Sequence, residues 1–170
     1  ILLPVIISLR MYNHYQEKEQ PRNIVIVQPN INPYAEDYSL NAENAKLRKF
    51  FQIAQEAANE QTDFILGPET IVENYLNWNV DDYKESAQYF MLQNFKNEYP
   101  GAELMFGVSA CKFYEGENEA SPTARQKNGK YFDVFNSAVF MRNNGELQFY
   151  HKSILVSGVE KIPFLKYFEF

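Results

Sequence analysis

The chain has 170 residues and is 45% hydrophobic, so it can enclose one sizeable core and is not a disordered chain. Its net charge of −6, with no cluster of lysine and arginine, excludes a nucleic-acid partner, because phosphate binding needs concentrated positive charge. The single cysteine, Cys111, excludes an intrachain disulfide. With only two histidines, far apart in the sequence, we predict neither a metal site nor a cofactor.

The first nine residues are uniformly apolar and are followed by Arg10 and several aromatic residues. Nine residues are too few to cross a bilayer, which requires about 20. The residues themselves leave two interpretations open, a buried core element or the end of a membrane-spanning helix. The polar stretch that follows, residues 13–23, contains Pro21 and predicts a linker. Because both ends of the sequence are strongly apolar, we expect the chain to be a fragment of a longer protein.

A strand, a helix and a second strand follow the linker. The β-branched run Ile24–Gln28 predicts a strand buried on both faces. Residues 41–60 have apolar side chains at helical spacing, with Glu43 on the solvent side, and residues 63–67 form the next strand. This βαβ pattern predicts parallel strands, and it places the loop after the second strand at the carboxyl edge, where open sheets bind ligands.

The rest of the chain predicts one further helix and three strands. The helix covers residues 83–99, and the third strand covers residues 104–111. A long exposed loop follows over residues 115–130. Two more strands then flank the Asn-Asn-Gly sequence at 143–145, which favours a tight hairpin turn because such turns need positive φ.

Two charged residues lie at predicted strand ends. Lys152 follows an apolar strand, and Glu69 lies on a Gly-Pro-Glu-Thr turn directly after another. Each residue alone is most often an ordinary surface side chain. If they meet, the ammonium favours the ionised carboxylate, and the pair can act as a general base and an oxyanion stabiliser. The pair still lacks a nucleophile, since Cys111 lies inside a strand, where a free cysteine is expected to be inert.

The motifs resemble those of the nitrilase superfamily and, within it, the apolipoprotein N-acyltransferase family. They are Pro29 after a β-branched strand, Gly-Pro-Glu-Thr at 67–70, Phe-Asn-Ser-Ala at 135–138 and the stretch at 150–160. The resemblance implies an α/β fold, a four-layer α-β-β-α sandwich incomplete at the C-terminus. Residues 24–170 would form part of this catalytic domain, and residues 1–12 would be the end of a transmembrane helix.

The same resemblance implies a site and an activity. Glu69 matches the base of a Glu-Lys-Cys triad, Lys152 the oxyanion-stabilising lysine, and Glu160 a second glutamate that supports the site. The nucleophilic cysteine of this family follows the lysine, so it would lie beyond Phe170. The implied reaction moves an acyl chain from a phospholipid to a bacterial apolipoprotein, in the inner membrane with the catalytic domain on the periplasmic side.

Two other functions remain open on the sequence. A soluble amidase of the nitrilase type would use the same triad to hydrolyse a carbon-nitrogen bond with water. A sheet-rich binding domain without activity would keep Glu69 and Lys152 as a structural ion pair only.

Overall fold

The structure is a computed structural model that describes residues 2–31, 40–73, 78–154 and 156. Within these residues the chain is a mixed α/β protein with a six-stranded mixed sheet and three α-helices. The helices are α1 (Leu2–His14), α2 (Leu40–Ala57) and α3 (Ala87–Glu98). The strands are β1 (Ile24–Ile26), β2 (Phe64–Leu66), β3 (Glu103–Tyr114), β4 (Arg125–Lys127), β5 (Lys130–Met141) and β6 (Leu147–His151).

The sheet joins a parallel half to an antiparallel half. Its order is β1-β2-β3-β5-β4, with β6 also beside β5. The parallel pairs β1–β2 and β2–β3 confirm the predicted βαβ unit. The long strand β5 runs antiparallel to β3, and its two ends pair separately with β4 and β6. The segment between β3 and β5, predicted to be a long exposed hairpin loop, contributes one short strand, β4, whose three residues are exposed.

Helices α2 and α3 pack on one face of the sheet and enclose the hydrophobic core. Phe50 of α2 contacts Phe106 of β3 with ring centroids 5.7 Å apart, and Phe51 stacks on Phe95 of α3 at 4.5 Å. The buried sheet residues on this face alternate along their strands, as expected for a half-covered sheet. They include Ile65, Leu104, Phe106, Val108, Val139 and Met141.

The second face of the sheet carries apolar side chains that stay exposed in the described part of the chain. Ile24 is 51% exposed, Ile26 77%, Met105 43% and Tyr150 71%. The prediction that the first strand is buried on both faces is therefore wrong. Within the described residues β1 lies at the edge of the sheet, and its side chains Ile24 and Ile26 lie on the face away from α2.

Helix α2 buries a carboxylate that the sequence pattern assigned to solvent. Glu43 is fully buried, and its two carboxylate oxygens accept hydrogen bonds from the backbone N–H of Glu73 at 3.0 and 3.2 Å. The prediction for Glu43 is wrong because this hydrogen bond compensates for the loss of water. Lys46, one turn later, pairs with the Glu73 carboxylate at 2.8 Å. These contacts fix the segment that follows Glu69.

Helix α1 contains the apolar opening run and buries none of its side chains. Leu2, Leu3, Ile6 and Leu9 are each more than half exposed. Among the described residues, no helix combines the length and the apolar character needed to cross a bilayer. The helix extends to His14, so the linker without regular structure begins at Tyr15.

Candidate active site

Lys152 is held at the end of β6 by the backbone of β5. Its N–H donates to the carbonyl of Asn136 at 2.8 Å, which continues the β5–β6 pairing one residue beyond the last strand position. Antiparallel pairing alternates the side chains between the two faces. Lys152 therefore follows Tyr150 onto the face of the sheet that the helices leave uncovered.

Glu69 is fixed by β3, the central strand. The segment after β2 runs alongside β3 through hydrogen bonds from Gly107 N to Pro68 O and from Ile71 N to Gly107 O, both 2.8 Å. A further bond joins Ser109 N to Val72 O at 2.7 Å. The turn that carries Glu69 is thus a backbone-paired extension of the sheet, and its position is set by the core.

The structure brings the two predicted residues together. Lys152 Nζ lies 3.3 Å from Glu69 Oε1, although the residues are 83 positions apart in the sequence. The side chains are 32% and 69% exposed, respectively. An exposed ion pair of this kind contributes only about 0.2–1 kcal/mol to stability. This small contribution to stability is a weak explanation for the pairing of Glu69 with Lys152.

A third side chain, which the sequence did not single out as a site residue, completes the cluster. Asn136 Nδ2 donates to Glu69 Oε1 at 3.0 Å, so the same carboxylate oxygen accepts from both Asn136 and Lys152. The position of Asn136 in the sheet, rather than a sequence motif, indicates its role. Asn136 precedes Ser137, the β5 partner of His151, and accepts the backbone N–H of Lys152, so a polar side chain there faces the lysine's side of the sheet.

An open cavity of about 300 Å³ lies beside the cluster. Gly107, which has no side chain, and Ala138, which has only a methyl group, are neighbours in register across β3 and β5 and both line the cavity. Met105 and Tyr150 line it with apolar surface, while Glu69, Asn136 and Lys152 supply its polar groups. An apolar pocket with a few convergent polar groups is typical of a small-molecule binding site.

Cys111 does not take part in this site. It is fully buried in β3, and burial, with smaller contributions from Asp82 and Asp81, raises the pKa of its thiol to about 12. A thiol in this state is not a nucleophile at neutral pH. The expectation that Cys111 is an inert core residue is therefore supported.

The residue before Lys152 anchors the strand end from the helix-covered side. His151 Nδ1 hydrogen-bonds to Ser137 Oγ at 2.7 Å, and its ring stacks on Phe135 with centroids 4.1 Å apart. Burial lowers the pKa of His151. The neutral imidazole thus holds β6 against β5 one residue from the lysine.

The third predicted site residue, Glu160, lies outside the described residues. Within the described ranges, no group of three or more histidine, cysteine, aspartate and glutamate side chains is arranged to hold a metal ion. The polar groups that the structure brings together are therefore Glu69, Lys152 and Asn136.

No model of a known protein family matches the chain, and no curated protein sequence is significantly similar to it. A functional interpretation therefore depends on the geometry of this cluster and on the motifs that carry it.

Proposed function

We propose that the chain carries the base and the oxyanion-stabilising lysine of an apolipoprotein N-acyltransferase. This enzyme would move a fatty acyl chain from a phospholipid to the N-terminal amine of a diacylated bacterial apolipoprotein, through a cysteine thioester. The observation that carries the proposal is the 3.3 Å contact between Lys152 Nζ and Glu69 Oε1 beside an apolar cavity. The sequence motifs predict this meeting of two remote residues.

The exposed apolar face of the sheet supports the four-layer fold that the proposal requires. Ile24, Ile26, Met105 and Tyr150 lie on this face and are each more than 40% exposed. Apolar surface of this extent favours a covering layer. In the proposed sandwich a second sheet, with its own helices, packs on this face and closes the site around Glu69 and Lys152.

Helix α1 favours the membrane enzyme over the soluble amidase. Its apolar side chains are exposed and none is buried against the sheet. Exposed leucine and isoleucine side chains around a helix are stabilised by lipid. We propose that residues 1–12 form the end of a spanning helix and that the linker brings the catalytic domain to the membrane surface, on the periplasmic side of the inner membrane.

In the first half-reaction, Glu69 accepts the proton of the nucleophilic thiol, and the sulfur attacks the acyl carbonyl of the phospholipid. A carbon-sulfur bond forms, and the negative charge on the carbonyl oxygen is stabilised by the Lys152 ammonium. The ester carbon-oxygen bond then breaks, and Glu69 returns its proton to the departing glycerol oxygen. The products are the thioester and a lysophospholipid.

In the second half-reaction, the free amine of the apolipoprotein attacks the thioester carbon. A carbon-nitrogen bond forms, the carbon-sulfur bond breaks, and Glu69 transfers the amine's proton to the leaving thiolate. Lys152 stabilises the second oxyanion in the same way. The proposal takes the nucleophilic cysteine from beyond residue 170 and Glu160 as a supporting carboxylate.

The proposal is tested on the full-length protein with a phospholipid and a diacylated lipopeptide. Intact mass spectrometry should detect an acyl thioester on the wild type, and the lipopeptide should discharge it with formation of an amide. Glu69→Gln should reduce thioester formation by about 100-fold or more, because it removes the base. Glu146→Gln, which neutralises an exposed turn carboxylate, is the matched control and should react like the wild type.

The same assay separates the two alternatives. An amidase would release the acyl group to water at the same rate with and without the lipopeptide. A binding domain would form no thioester, and Glu69→Gln would change only its stability. Either result would overturn the acyltransferase proposal.

A further inference from the structure

We propose that Asn136 is a positioning residue that holds Glu69 in register with Lys152. This inference deepens the proposed function and depends on it for its catalytic consequence. Asn136 touches both members of the pair: its carbonyl accepts from Lys152 N at 2.8 Å, and its side-chain amide donates to Glu69 Oε1 at 3.0 Å.

The geometry makes Asn136 a hydrogen-bonded bridge between the two halves of the site. Glu69 is attached to the parallel half of the sheet through its turn on β3, whereas Lys152 is attached to the antiparallel half through β6. Strand β5 lies between these halves, and Asn136 is its residue opposite Ser109 of β3, with its carbonyl accepting the backbone N–H of Lys152. Its side chain therefore reaches from β5 to the Glu69 carboxylate on the parallel half of the sheet.

The chemistry of the amide suits this task. Glu69 is well exposed, so its side chain would otherwise sample several rotamers. Lys152 alone supplies one flexible cation, whereas the amide N–H adds a directional donor to the same oxygen atom. Both donors favour the ionised carboxylate, which is the form that a general base needs.

Two substitutions in the full-length protein separate the donor from the shape of the side chain. Asn136→Asp keeps the size and removes the donor, and Asn136→Ala removes both. We expect single-turnover thioester formation to fall by roughly 10-fold to 100-fold in each variant, as for the loss of a hydrogen bond to a charged group. The acidic limb of the pH–rate profile should move to higher pH, further in Asn136→Asp, because a second carboxylate disfavours ionisation of Glu69.

Asn144→Asp is the matched control. Asn144 Nδ2 donates to Glu146 Oε2 at 2.9 Å on an exposed turn, so this change disrupts an equivalent amide–carboxylate bond away from the site. It should leave the rate and the pH profile unchanged. Thermal unfolding of each variant checks that the fold survives. If both Asn136 variants fold and keep the wild-type rate and pH profile, the positioning role is overturned.

A second readout does not depend on acyl transfer. Acetic anhydride labelling of the full-length protein, followed by peptide mass spectrometry, measures the reactivity of the Lys152 amine against that of the exposed Lys112. A carboxylate held at Lys152 suppresses the free amine, so Asn136→Ala should raise the relative labelling of Lys152 by about 2-fold to 5-fold. If the wild type forms no thioester but this increase is seen, the proposed function fails and the positioning role stands. Unchanged labelling overturns the positioning role itself.

Discussion

The carbonyl oxygen of Glu69 occupies the space above Gly107 in which any other residue would place its Cβ. A Cβ built on Gly107 would lie 1.1 Å from this oxygen, and the carbonyl carbon would be 1.9 Å away. Gly107 exchanges backbone hydrogen bonds with Pro68 and Ile71 on either side of Glu69. The close approach of β3 to the turn is therefore what fixes the backbone of the proposed base.

We expect Gly107→Ala to lower the free energy of unfolding by about 3 kcal/mol, because the new methyl group must displace backbone rather than a flexible side chain. Thioester formation by the full-length protein should fall as well, since Glu69 moves with its turn. Urea unfolding measures the first effect. Gly101→Ala is the control, because a Cβ there meets nothing within 4 Å, and it should change stability by less than about 0.5 kcal/mol. Equal midpoints for the two variants would refute the close-contact explanation.

Cys111 should be chemically silent in the folded protein. A thiol with a pKa of about 12 is ionised in roughly one molecule in 10,000 at pH 8, and its burial also blocks the reagent. We expect iodoacetamide to label Cys111 only after unfolding in urea, as measured by peptide mass spectrometry. Cys111→Ala should keep full acyltransferase activity in the full-length protein. Loss of thioester formation in that variant would contradict this prediction, because it would indicate that Cys111 is the nucleophile.

Glu43 should contribute to stability although it is a fully buried acidic residue. Glu43→Ala removes the acceptors of the Glu73 N–H in a fully buried environment, and we expect a loss of about 2 kcal/mol. Glu43→Gln retains one acceptor and should lose less. Glu56→Ala, an exposed position on the same helix, should have an effect below about 0.5 kcal/mol. Urea unfolding of the three variants ranks their losses of stability. An equal loss for Glu43→Ala and Glu56→Ala would contradict a stabilising role for Glu43.

The His151 imidazole should make the protein less stable as the pH falls below neutral. Burial lowers its pKa in the folded state, so the unfolded chain binds a proton more readily than the folded protein. The contribution is fully present above the unfolded value of about 6.5 and is lost as the pH falls below it. We expect His151→Gln to flatten the dependence of the unfolding free energy on pH below about pH 6.5. His14→Gln, at the exposed end of α1, is the control, and an unchanged slope in His151→Gln would refute the assignment.

The sequence predicted the elements that have a strong local signal. The βαβ unit, the Asn-Asn-Gly turn, in which Gly145 has a φ of +80°, and the positions of Glu69 and Lys152 at strand ends are all found in the structure. These features follow from β-branched runs, from proline and from the need for positive φ, which act over a few residues. The meeting of Glu69 and Lys152 follows from the order of the strands in the sheet.

The features that were missed depend on contacts between remote residues. Glu43 is polar and lies on a helix, and its hydrogen bond from the backbone N–H of Glu73, 30 residues away, is not visible in the helical pattern. The exposure of Ile26 depends on which face of the sheet the helices cover, and a β-branched run carries no information about this. Asn136 belongs to the Phe-Asn-Ser-Ala motif at 135–138. Its hydrogen bond to Glu69 becomes visible only when β3, β5 and β6 are aligned in the sheet.

The most direct test of the central claim, that Glu69 and Lys152 act as one unit, is a double-mutant cycle on single-turnover thioester formation by the full-length protein. When two residues act as one catalytic unit, removing either one abolishes the contribution of both to the rate, so the second substitution causes little further loss. We predict that Glu69→Gln combined with Lys152→Met will form thioester no more slowly than the more damaging single variant. If instead the two rate losses multiply, the residues act independently and the shared site at the end of β2 and β6 is contradicted.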